Sequence, residues 1–354
     1  MSGVAEQRAA SRARYLQGTT FRSARLVRLG SDASIRQYFR LEGGPQPALL
    51  MDAPAAAINP PCPPTADAAE RTRLGYGALV RGSGSSLIAY EAAANVLSEL
   101  NIRVPRVLHR DVEAGFAIIE DLGTERVADA AEDAGREEVL YRQAADVLIT
   151  LGSASAKPGL AHGWTFQTYD HLAYTTEANL LAEWFFPKIL DRRLSEEDQE
   201  ALSGAWSEAL SSLSQPNAWV HRDFHADNLM VVGDGIGVLD FQDLMVGQSA
   251  YDWASLIEDA RRDVGQDLRD SLYRLGADHA DDHDAFERDY ALLAAQRNAK
   301  ILGLFARLAA RDGKERYLNL IPRVRTFFAE DLARPALAPV TDVLHALAPE
   351  LVTP

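Results

Sequence analysis

Residues 219–243 read WVHRDFHADNLMVVGDGIGVLDFQD, and this segment decides the fold of the chain. Within it, two short apolar runs, 229–232 and 236–239, are separated by the turn sequence Gly-Asp-Gly. Apolar runs of this length around a glycine-containing turn are typical of a tight β-hairpin. Because the strands of a hairpin run antiparallel, we expect Asp240, at its end, to lie beside Asn228, at its start.

The polar residues of this segment suit chemistry at a hydroxyl group. A carboxylate such as Asp223 can accept the hydroxyl proton and orient the attack. A hard cation such as Mg²⁺ prefers oxygen ligands, so Asn228 and Asp240 are candidate metal ligands. We expect His221 to brace the loop. The alternative interpretation, that these residues only cap a turn, is weakened by the hairpin that brings them together.

The chain on either side of this segment changes in character. Strand patterns are found at residues 24–29, 35–41, 48–51, 106–109 and 116–119. Helical patterns are found at residues 66–79, 87–100, 137–151, 170–186, 196–213, 250–262, 284–310 and 316–332. We therefore predict an α+β, bilobal fold with a β-rich N-terminal lobe, residues 1–120, and a mainly helical C-terminal lobe, residues 121–354.

Composition limits the classes of partner. The 354 residues carry a formal net charge of −15, which disfavours a nucleic-acid partner and binding to anionic membranes. No stretch approaches the roughly 20 apolar residues of a membrane-spanning helix. Cys62 is the only cysteine and the N-terminal residues are polar, so we expect a cytoplasmic protein without a signal peptide. The sequence carries no signal for an oligomeric state.

The motif His221-x-Asp223, with Asn228 and then Asp240-Phe241, resembles the catalytic segment of kinase-like phosphotransferases. The second histidine in HRDFHADN makes the chain similar to the aminoglycoside phosphotransferase/choline kinase superfamily. Within that group it most resembles the bacterial anomeric sugar kinases, on the runs GSDASIRQYFR, MDAP, NPPCPP, IIEDLG, HRDFHADNLM, LDFQD, AYDWASL and QRNAKILGLFARLAARDGK. The resemblance implies ATP- and Mg²⁺-dependent phosphorylation of the C1 hydroxyl of N-acetylmuramate or N-acetylglucosamine, in a route that recycles cell-wall sugars towards UDP-N-acetylmuramate.

The same resemblance implies where ATP binds. A small polar turn would cover the phosphates with backbone N–H groups and hydroxyls, through Ser31, Asp32, Ala33 and Ser34. The backbone between Glu120 and Leu122 would contact adenine. Asp252 either caps its own helix or holds the backbone N–H groups of the catalytic loop, and the sequence leaves both open.

One feature departs from the kinase pattern. The third strand reads ALLMDA and lacks the lysine that normally binds the α- and β-phosphates. Arg36 or Arg40 on the preceding strand is a candidate replacement, and a solvated strand face is the alternative. Glu91 is the candidate for the glutamate that would pair with that lysine.

The acceptor site is less readable. Positively charged residues recur on one face of the helix predicted at 284–310, where Arg297 and Lys300 begin a stripe that could bind a carboxylate of the acceptor. A solvated or salt-bridged stripe is the alternative. Glu177 is a candidate for binding sugar hydroxyls.

Two other functions compete with the amino-sugar kinase. A kinase of choline or an aminoglycoside would need an acidic or aromatic pocket for its cationic substrate. A pseudokinase that only binds a partner is suggested by the missing lysine, but the presence of Asp223, Asn228 and Asp240 argues against it.

Overall fold

The computed structural model describes residues 2–30, 36–53 and 60–353. Its N-terminal part begins with α1 (Ser2–Gln17) and contains the strands β1 (Arg25–Arg28), β2 (Gln37–Glu42), β3 (Ala48–Asp52), β4 (Val107–Asp111) and β5 (Phe116–Glu120). These strands form one antiparallel sheet in the order β1-β2-β3-β5-β4. All five strands predicted from the sequence belong to this sheet, and β5 lies between β3 and β4.

The two faces of this sheet are covered by different elements, as the alternation of side chains along a strand requires. On one face, Leu16 and Phe21 pack against Phe39, Leu50 and other apolar side chains of the strands. The other face packs against α4 (Leu87–Glu99). Two shorter helices, α2 (Ala68–Leu74) and α3 (Tyr76–Leu79), precede α4 in the chain and pack against each other. A serine caps α4: the hydroxyl of Ser86 accepts a hydrogen bond from Ala89 N at 3.1 Å.

The remainder of the described chain is mostly helical. Its α-helices are α5 (Val127–Ala130), α6 (Ala134–Ser153), α7 (His171–Ala178), α8 (Phe186–Lys188), α9 (Glu196–Leu210), α10 (Ala250–Ile257), α11 (Gln266–Asp278), α12 (His283–Asp312), α13 (Ile321–Leu332) and α14 (Ala338–Leu347). Its strands are β6 (Gly159–Ala161), β7 (Trp164–Phe166), β8 (Ala218–Val220), β9 (Leu229–Val232), β10 (Gly235–Val238) and β11 (Met245–Gly247). The predicted α+β fold is confirmed.

Helix α12 is the helix against which several others of this helical part pack. It runs for 30 residues, begins at the N-cap Asp282 and ends where Gly313 adopts the left-handed conformation with φ 66°. It packs against α7, α10, α13 and a π-helical turn at Leu181–Phe185. Its buried face therefore lies next to the elements that carry the catalytic segment.

One cluster of buried apolar side chains extends from Met51 and Ile119 in the sheet to Leu351 near the C-terminus. The sheet and the helical part thus share a continuous apolar contact. The division of the chain after residue 120 stays a prediction.

Candidate active site

Short strands position the catalytic segment. β8 ends at Val220 and pairs with β11, while β9 and β10 form the predicted hairpin with Leu229 opposite Val238. One further hydrogen bond, from Leu239 N to Asn228 O at 2.9 Å, continues the pairing beyond the strands. Asp240 follows directly, so the hairpin brings it back to Asn228 as expected.

Asp252 lies below the loop and holds it. Its carboxylate accepts hydrogen bonds from His221 N at 2.5 Å and from Arg222 N at 2.9 Å. The N-cap position of α10 is occupied by Ser249, so Asp252 is not the cap of its own helix. Burial raises the pKa of Asp252 above its ordinary value, although the nearby His221 acts in the opposite direction. The structure thus favours the second of the two interpretations of Asp252.

His221 is fixed on both ring nitrogens. Nε2 lies 2.8 Å from the carbonyl oxygen of Leu239, which can only accept, and Nδ1 lies 3.2 Å from the backbone N–H of Asp223, which can only donate. These partners define a neutral imidazole with its proton on Nε2. Such a ring ties the loop to the hairpin and has no free nitrogen for proton transfer.

Asp223 faces the cleft and is held by two neighbours. Its Oδ1 lies 3.1 Å from His225 Nε2, and its Oδ2 accepts from Asn228 Nδ2 at 3.2 Å. Its side chain is 48% exposed and lines the cleft. Burial alone would raise the pKa of Asp223, but His225 outweighs it and the pKa lies well below the ordinary value. The carboxylate is therefore ionised at neutral pH.

Asp240 opens to the same cleft in a strained backbone conformation. Its φ is 58°, and Arg222 on the other side of the site has φ 75°, both in the left-handed region that non-glycine residues seldom adopt. Strain of this kind is often retained at functional sites. Burial and, secondly, the negative charge of Asp223 raise the pKa of Asp240. Two carboxylates that oppose each other's ionisation in this way favour a cation between them.

The cleft widens beside these carboxylates into a cavity of about 270 Å³ that is open to solvent. Its lining includes the catalytic carboxylates and, from helix α12, the predicted residues Arg297 and Lys300. Tyr76, Val80 and Gly82 contribute from around α3. The structure therefore brings the predicted acceptor residues and the predicted catalytic residues into one cavity.

Glu177, on α7, also lines this cavity, but both its oxygens are engaged. Oε1 lies 2.8 Å from Arg222 Nη2 and 3.1 Å from Lys300 Nζ, and Oε2 accepts from the hydroxyl of Tyr169. Burial alone would raise the pKa of Glu177, but Lys300 and Arg222 outweigh it and lower the pKa. Glu177 therefore acts as a buried counter-ion, and the prediction that it binds sugar hydroxyls finds no support in this geometry.

On the nucleotide side, Ser31, Asp32, Ala33 and Ser34 lie outside the described residues. Arg36 is 5% exposed and donates to the carbonyl oxygen of Gly84 at 2.9 Å. Its charge acts on the pKa of both Asp240 and Asp243, so it lies towards the cleft. Arg40 instead binds Asp121 at 2.6 Å. Of the two candidate replacements for the lysine, only Arg36 thus acts on the cleft carboxylates.

Three expectations on the nucleotide side need correction or refinement. The backbone N–H of Glu120 is bound to Arg106 O at 2.9 Å and its carboxylate binds Arg103, so its amide cannot donate to adenine. Glu91 pairs with Arg110 on β4 at 2.8 Å and therefore points away from the cleft. Leu122 lies over the hairpin, where its side chain limits the space above Gly237.

Two residues of the site had no role assigned from the sequence. His225 contacts Asp223, and its presence in the same motif was the available signal. Arg261 lines the cavity and lies 3.6 Å from Asp227, but no local pattern distinguishes it from other basic residues after a helix.

Within the described residues, no group of three or more His, Cys, Asp and Glu side chains is arranged to hold a metal ion. The candidate metal ligands are one carboxylate and one amide, a set that needs phosphate oxygens or water to complete it. None of the described helices combines the length and apolar character needed to cross a bilayer.

The model of the phosphotransferase enzyme family matches residues 25–292. The chain belongs to this family. It is 36% identical to a protein of Caulobacter vibrioides named N-acetylmuramate/N-acetylglucosamine kinase, over 95% of each chain. It is 31% identical to a protein of the same name from Pseudomonas aeruginosa, over 92% of this chain and 89% of that one.

Solved structures show the same fold at low identity. A gentamicin complex of an aminoglycoside phosphotransferase superposes with a TM-score of 0.59 at 15% identity, covering 94% of this chain and 98% of that one. A choline/ethanolamine kinase family protein from Mesorhizobium loti gives 0.57 at 13% identity, covering 96% and 99%. The predictions of a small-molecule kinase and of a protein-kinase-like fold are confirmed, and membership of this family implies the use of ATP.

Proposed function

We propose that this chain transfers the γ-phosphate of ATP to the anomeric C1 hydroxyl of N-acetylmuramate and N-acetylglucosamine. The names of its relatives indicate the acceptors. The observation that carries the proposal is the position of Asp223, held by His225 and Asn228 at the edge of a cavity with basic walls. The product, a sugar 1-phosphate, suits the recycling of cell-wall sugars in the cytoplasm.

Asp223 is the proposed base. Because its pKa is low, it is ionised at neutral pH and orients the acceptor hydroxyl by accepting its hydrogen bond. Phosphoryl transfer depends mainly on such positioning and on neutralising the charge of the phosphates. The proton passes to Asp223 as the bond from the hydroxyl oxygen to the γ-phosphorus forms and the bond from that phosphorus to the β–γ bridging oxygen breaks, which releases ADP. Asn228 and His225 keep the carboxylate aimed.

The donor set fits Mg²⁺. The amide nitrogen of Asn228 is committed to Asp223, at 2.9 Å from its carbonyl oxygen and 3.2 Å from Oδ2, which leaves the amide oxygen of Asn228 for a cation. We propose that this oxygen and the carboxylate of Asp240 hold Mg²⁺ with the nucleotide. The ion would neutralise charge on the phosphates, and Arg36, just before β2, would add to this neutralisation.

The cavity disfavours a cationic acceptor. Of the carboxylates that line it, Glu177 is paired with Arg222 and Lys300, and Asp243 accepts from Ser83 N at 2.7 Å. Asp223 and Asp240 are assigned to the acceptor hydroxyl and to Mg²⁺. Choline or an aminoglycoside would additionally meet Arg297 and Arg261 at the same wall. A neutral or anionic sugar avoids this repulsion.

The test is an assay of ADP release with ATP and Mg²⁺ over N-acetylmuramate, N-acetylglucosamine, choline, an aminoglycoside and homoserine. We expect turnover with the amino sugars and the loss of their reducing end, since phosphorylation at C1 blocks the aldehyde. A phosphorylated product that still reduces would place the phosphate elsewhere and contradict the anomeric assignment. Turnover on choline alone would overturn the substrate.

Asp223→Asn tests the base. We expect kcat to fall by about 10²–10⁴ while the affinity for ATP is kept. Asp234→Asn makes the same chemical change in the exposed hairpin turn and should keep wild-type turnover. Equal turnover of both variants would remove Asp223 from the proposed role.

A further inference from the structure

The cavity beside Asp223 is called the acceptor cavity below. Four cationic side chains line it, and they differ in the groups that pair with them. Arg222 and Lys300 share Glu177, at 2.8 and 3.1 Å, and Arg261 lies 3.6 Å from Asp227. Arg297 has no carboxylate within ion-pair distance among the residues that the structure describes. Its guanidinium donates instead to the backbone carbonyl oxygen of Glu258 at 3.2 Å.

The burial of Arg297 makes this difference meaningful. Its exposed fraction is 3%, and a buried charge is unfavourable unless it is paired or fully hydrogen-bonded. A guanidinium has five N–H donors in a fixed plane, and one neutral carbonyl occupies only part of them. The remaining donors belong to the wall of the cavity that also contains Asp223.

Two further observations fix the position of Arg297. It lies on α12, which packs against α10, and Asp252 of α10 holds the loop that carries Asp223. The carbonyl group that holds it belongs to Glu258, whose side chain is itself anchored by Tyr290 at 2.9 Å and Asn298 at 2.7 Å. Arg297 is thus a pre-positioned cation, which is the arrangement expected of a ligand-binding group.

We propose that Arg297 binds an oxyanion group of the reactants and is the cation of this cavity that determines their binding. The inference rests on the proposed function. Planar guanidinium groups match carboxylate and phosphate oxygens in bidentate geometry. The group bound is either the carboxylate of the acceptor N-acetylmuramate or the phosphoryl group in transfer. Lys300, three residues along the same helix, differs from Arg297 because it already has a carboxylate partner in Glu177 at 3.1 Å and a hydroxyl partner in Tyr251 at 3.0 Å.

The experiment compares Arg297→Gln on two acceptors, because N-acetylmuramate carries a carboxylate and N-acetylglucosamine does not. If Arg297 binds the carboxylate, KM for N-acetylmuramate rises by about 10- to 100-fold while the constants for N-acetylglucosamine stay unchanged. If it binds the phosphoryl group, kcat falls by a similar factor with both sugars. Wild-type constants with both sugars would overturn the proposal. Arg297→Lys keeps the charge without the planar fork and should give an intermediate loss.

Arg311→Gln is the matched control, because Arg311 lies on the same helix but is exposed, pairs with Asp312 at 2.7 Å and does not line the cavity. We expect it to keep both sets of constants. The melting temperature and the affinity for ADP, measured for each variant, separate a folding defect from a binding defect.

The wild-type enzyme distinguishes two kinds of failure. Absence of turnover with both amino sugars would overturn the proposed function. Normal wild-type turnover with unchanged Arg297→Gln constants would overturn only the role of Arg297. Calorimetric titration of the ADP complex with N-acetylmuramate and with inorganic phosphate gives a readout without turnover. At least one of the two must bind more weakly to Arg297→Gln than to the wild type, and equal binding of both contradicts the proposal.

Discussion

The third strand, β3, lacks a lysine, and individual residues around it compensate for the missing positive charge. Asp52, at the end of that strand, binds Arg8 and Arg12 of α1 at 2.6 and 2.8 Å, so this end of the strand is tied to the N-terminal helix. Arg36 lies just before β2 and is buried towards the cleft carboxylates. The positive charge at the nucleotide phosphates has therefore moved, on our proposal, from β3 to the start of the neighbouring strand.

Arg36→Gln tests this transfer of charge. Hydrogen bonds to charged groups contribute about 1.5–3 kcal/mol, so we expect kcat/KM for ATP to fall by roughly 10- to 100-fold. Arg40→Gln, four residues further along the chain in β2, is the control, because Asp121 already binds Arg40 at 2.6 Å. Steady-state kinetics at varied ATP would measure both variants. A loss in Arg40→Gln equal to that in Arg36→Gln would point to a general effect on the sheet.

For individual residues, the sequence predicts the positions of those that lie close together along the chain. His221, Asp223 and Asn228 lie in one short loop, and the hairpin that returns Asp240 is readable from its turn. The different states of Arg297 and Lys300 were not predictable, because both lie on one predicted helix stripe. What separates them is Glu177, which reaches Lys300 only through the packing of α7 on α12.

Among the elements, α12 depends on one close approach. Gly303 packs directly against the backbone of Leu180, just before the π-helical turn, and a Cβ built at this glycine would overlap the carbonyl group of Leu180. This contact sets the position of the helix that carries Arg297 and Lys300. The glycine is therefore required by packing, since its helical conformation is open to any residue.

We expect Gly303→Ala to lower the free energy of unfolding by at least about 1–3 kcal/mol, the usual cost of overpacking. Gly204→Ala, in the interior of α9 with no atom within 4 Å of the added methyl, should instead raise it by about 0.5–1 kcal/mol. Urea denaturation would measure both. A stabilised Gly303→Ala protein would mean that α12 can shift away from Leu180 without cost.

Three helices meet at a buried pair of carboxyl groups. Asp331 on α13 lies beside Glu258, which follows α10, and Asn298 of α12 donates to both, at 2.9 and 2.7 Å. Burial and then the charge of Glu258 raise the pKa of Asp331 well above its ordinary value. Arg334 is 3.9 Å away and opposes this shift without cancelling it. Asp331 is therefore protonated in the folded protein at pH values where it is ionised in the unfolded chain.

The sign of the pH dependence follows from this raised pKa. The contribution of Asp331 to stability is fully present below its pKa in the unfolded chain and is lost as the pH rises through its pKa in the folded protein. Asp331→Asn keeps a donor towards Glu258 and cannot ionise, so its stability relative to the wild type should increase between pH 5 and pH 9. Thermal melts across that range would measure it, with Asp342→Asn on α14 as the control. A constant difference in melting temperature would contradict the raised pKa.

The elements that the sequence predicts correctly each have a clear periodicity or turn. They include the sheet strands, α4 and the β9–β10 hairpin. The helix predicted over residues 66–79 is in fact divided, because Gly75 adopts φ 92° between α2 and α3. Helix α1 was not predicted, since it is polar along much of its length and is held partly by hydrogen bonds from Arg8 to the carbonyl oxygens of Ala53 and Ala114. Such hydrogen bonds do not produce a hydrophobic periodicity, so the sequence pattern does not reveal them.

For the molecule as a whole, Asp170 joins the segment after β3 to the helical part. Its carboxylate accepts from Arg71 at 2.6 and 3.0 Å and from Arg81 at 2.8 Å, and it also caps α7 through Ala173 N at 3.0 Å. Burial alone would raise the pKa of Asp170, but the two arginines outweigh it and lower the pKa. This junction holds α3, and with it one wall of the acceptor cavity, against α7.

Asp170→Ala should therefore affect both stability and acceptor binding. Arg71 is 2% exposed, and removing its partner leaves a buried charge, so we expect the free energy of unfolding to fall by about 3–5 kcal/mol. Asp133→Ala removes an exposed N-cap of α6 without an ion pair, and should cost only about 1 kcal/mol. KM for the acceptor should rise in Asp170→Ala alone, because Tyr76 and Val80 line the cavity.

The ion-pairing and helix-capping contributions of Asp170 to stability can be separated by pH. Since its pKa is lowered on folding, its contribution to stability is present above the pKa of the unfolded chain and is lost as the pH falls through the folded pKa. The stability difference between wild type and Asp170→Ala should thus shrink towards acid pH, down to the small cost of the lost cap. If chemical denaturation instead gives equal losses for Asp170→Ala and Asp133→Ala at neutral pH, Asp170 acts only as a helix cap. Apolar packing, and not the ion pairs of Asp170, would then position α3, which forms one wall of the acceptor cavity.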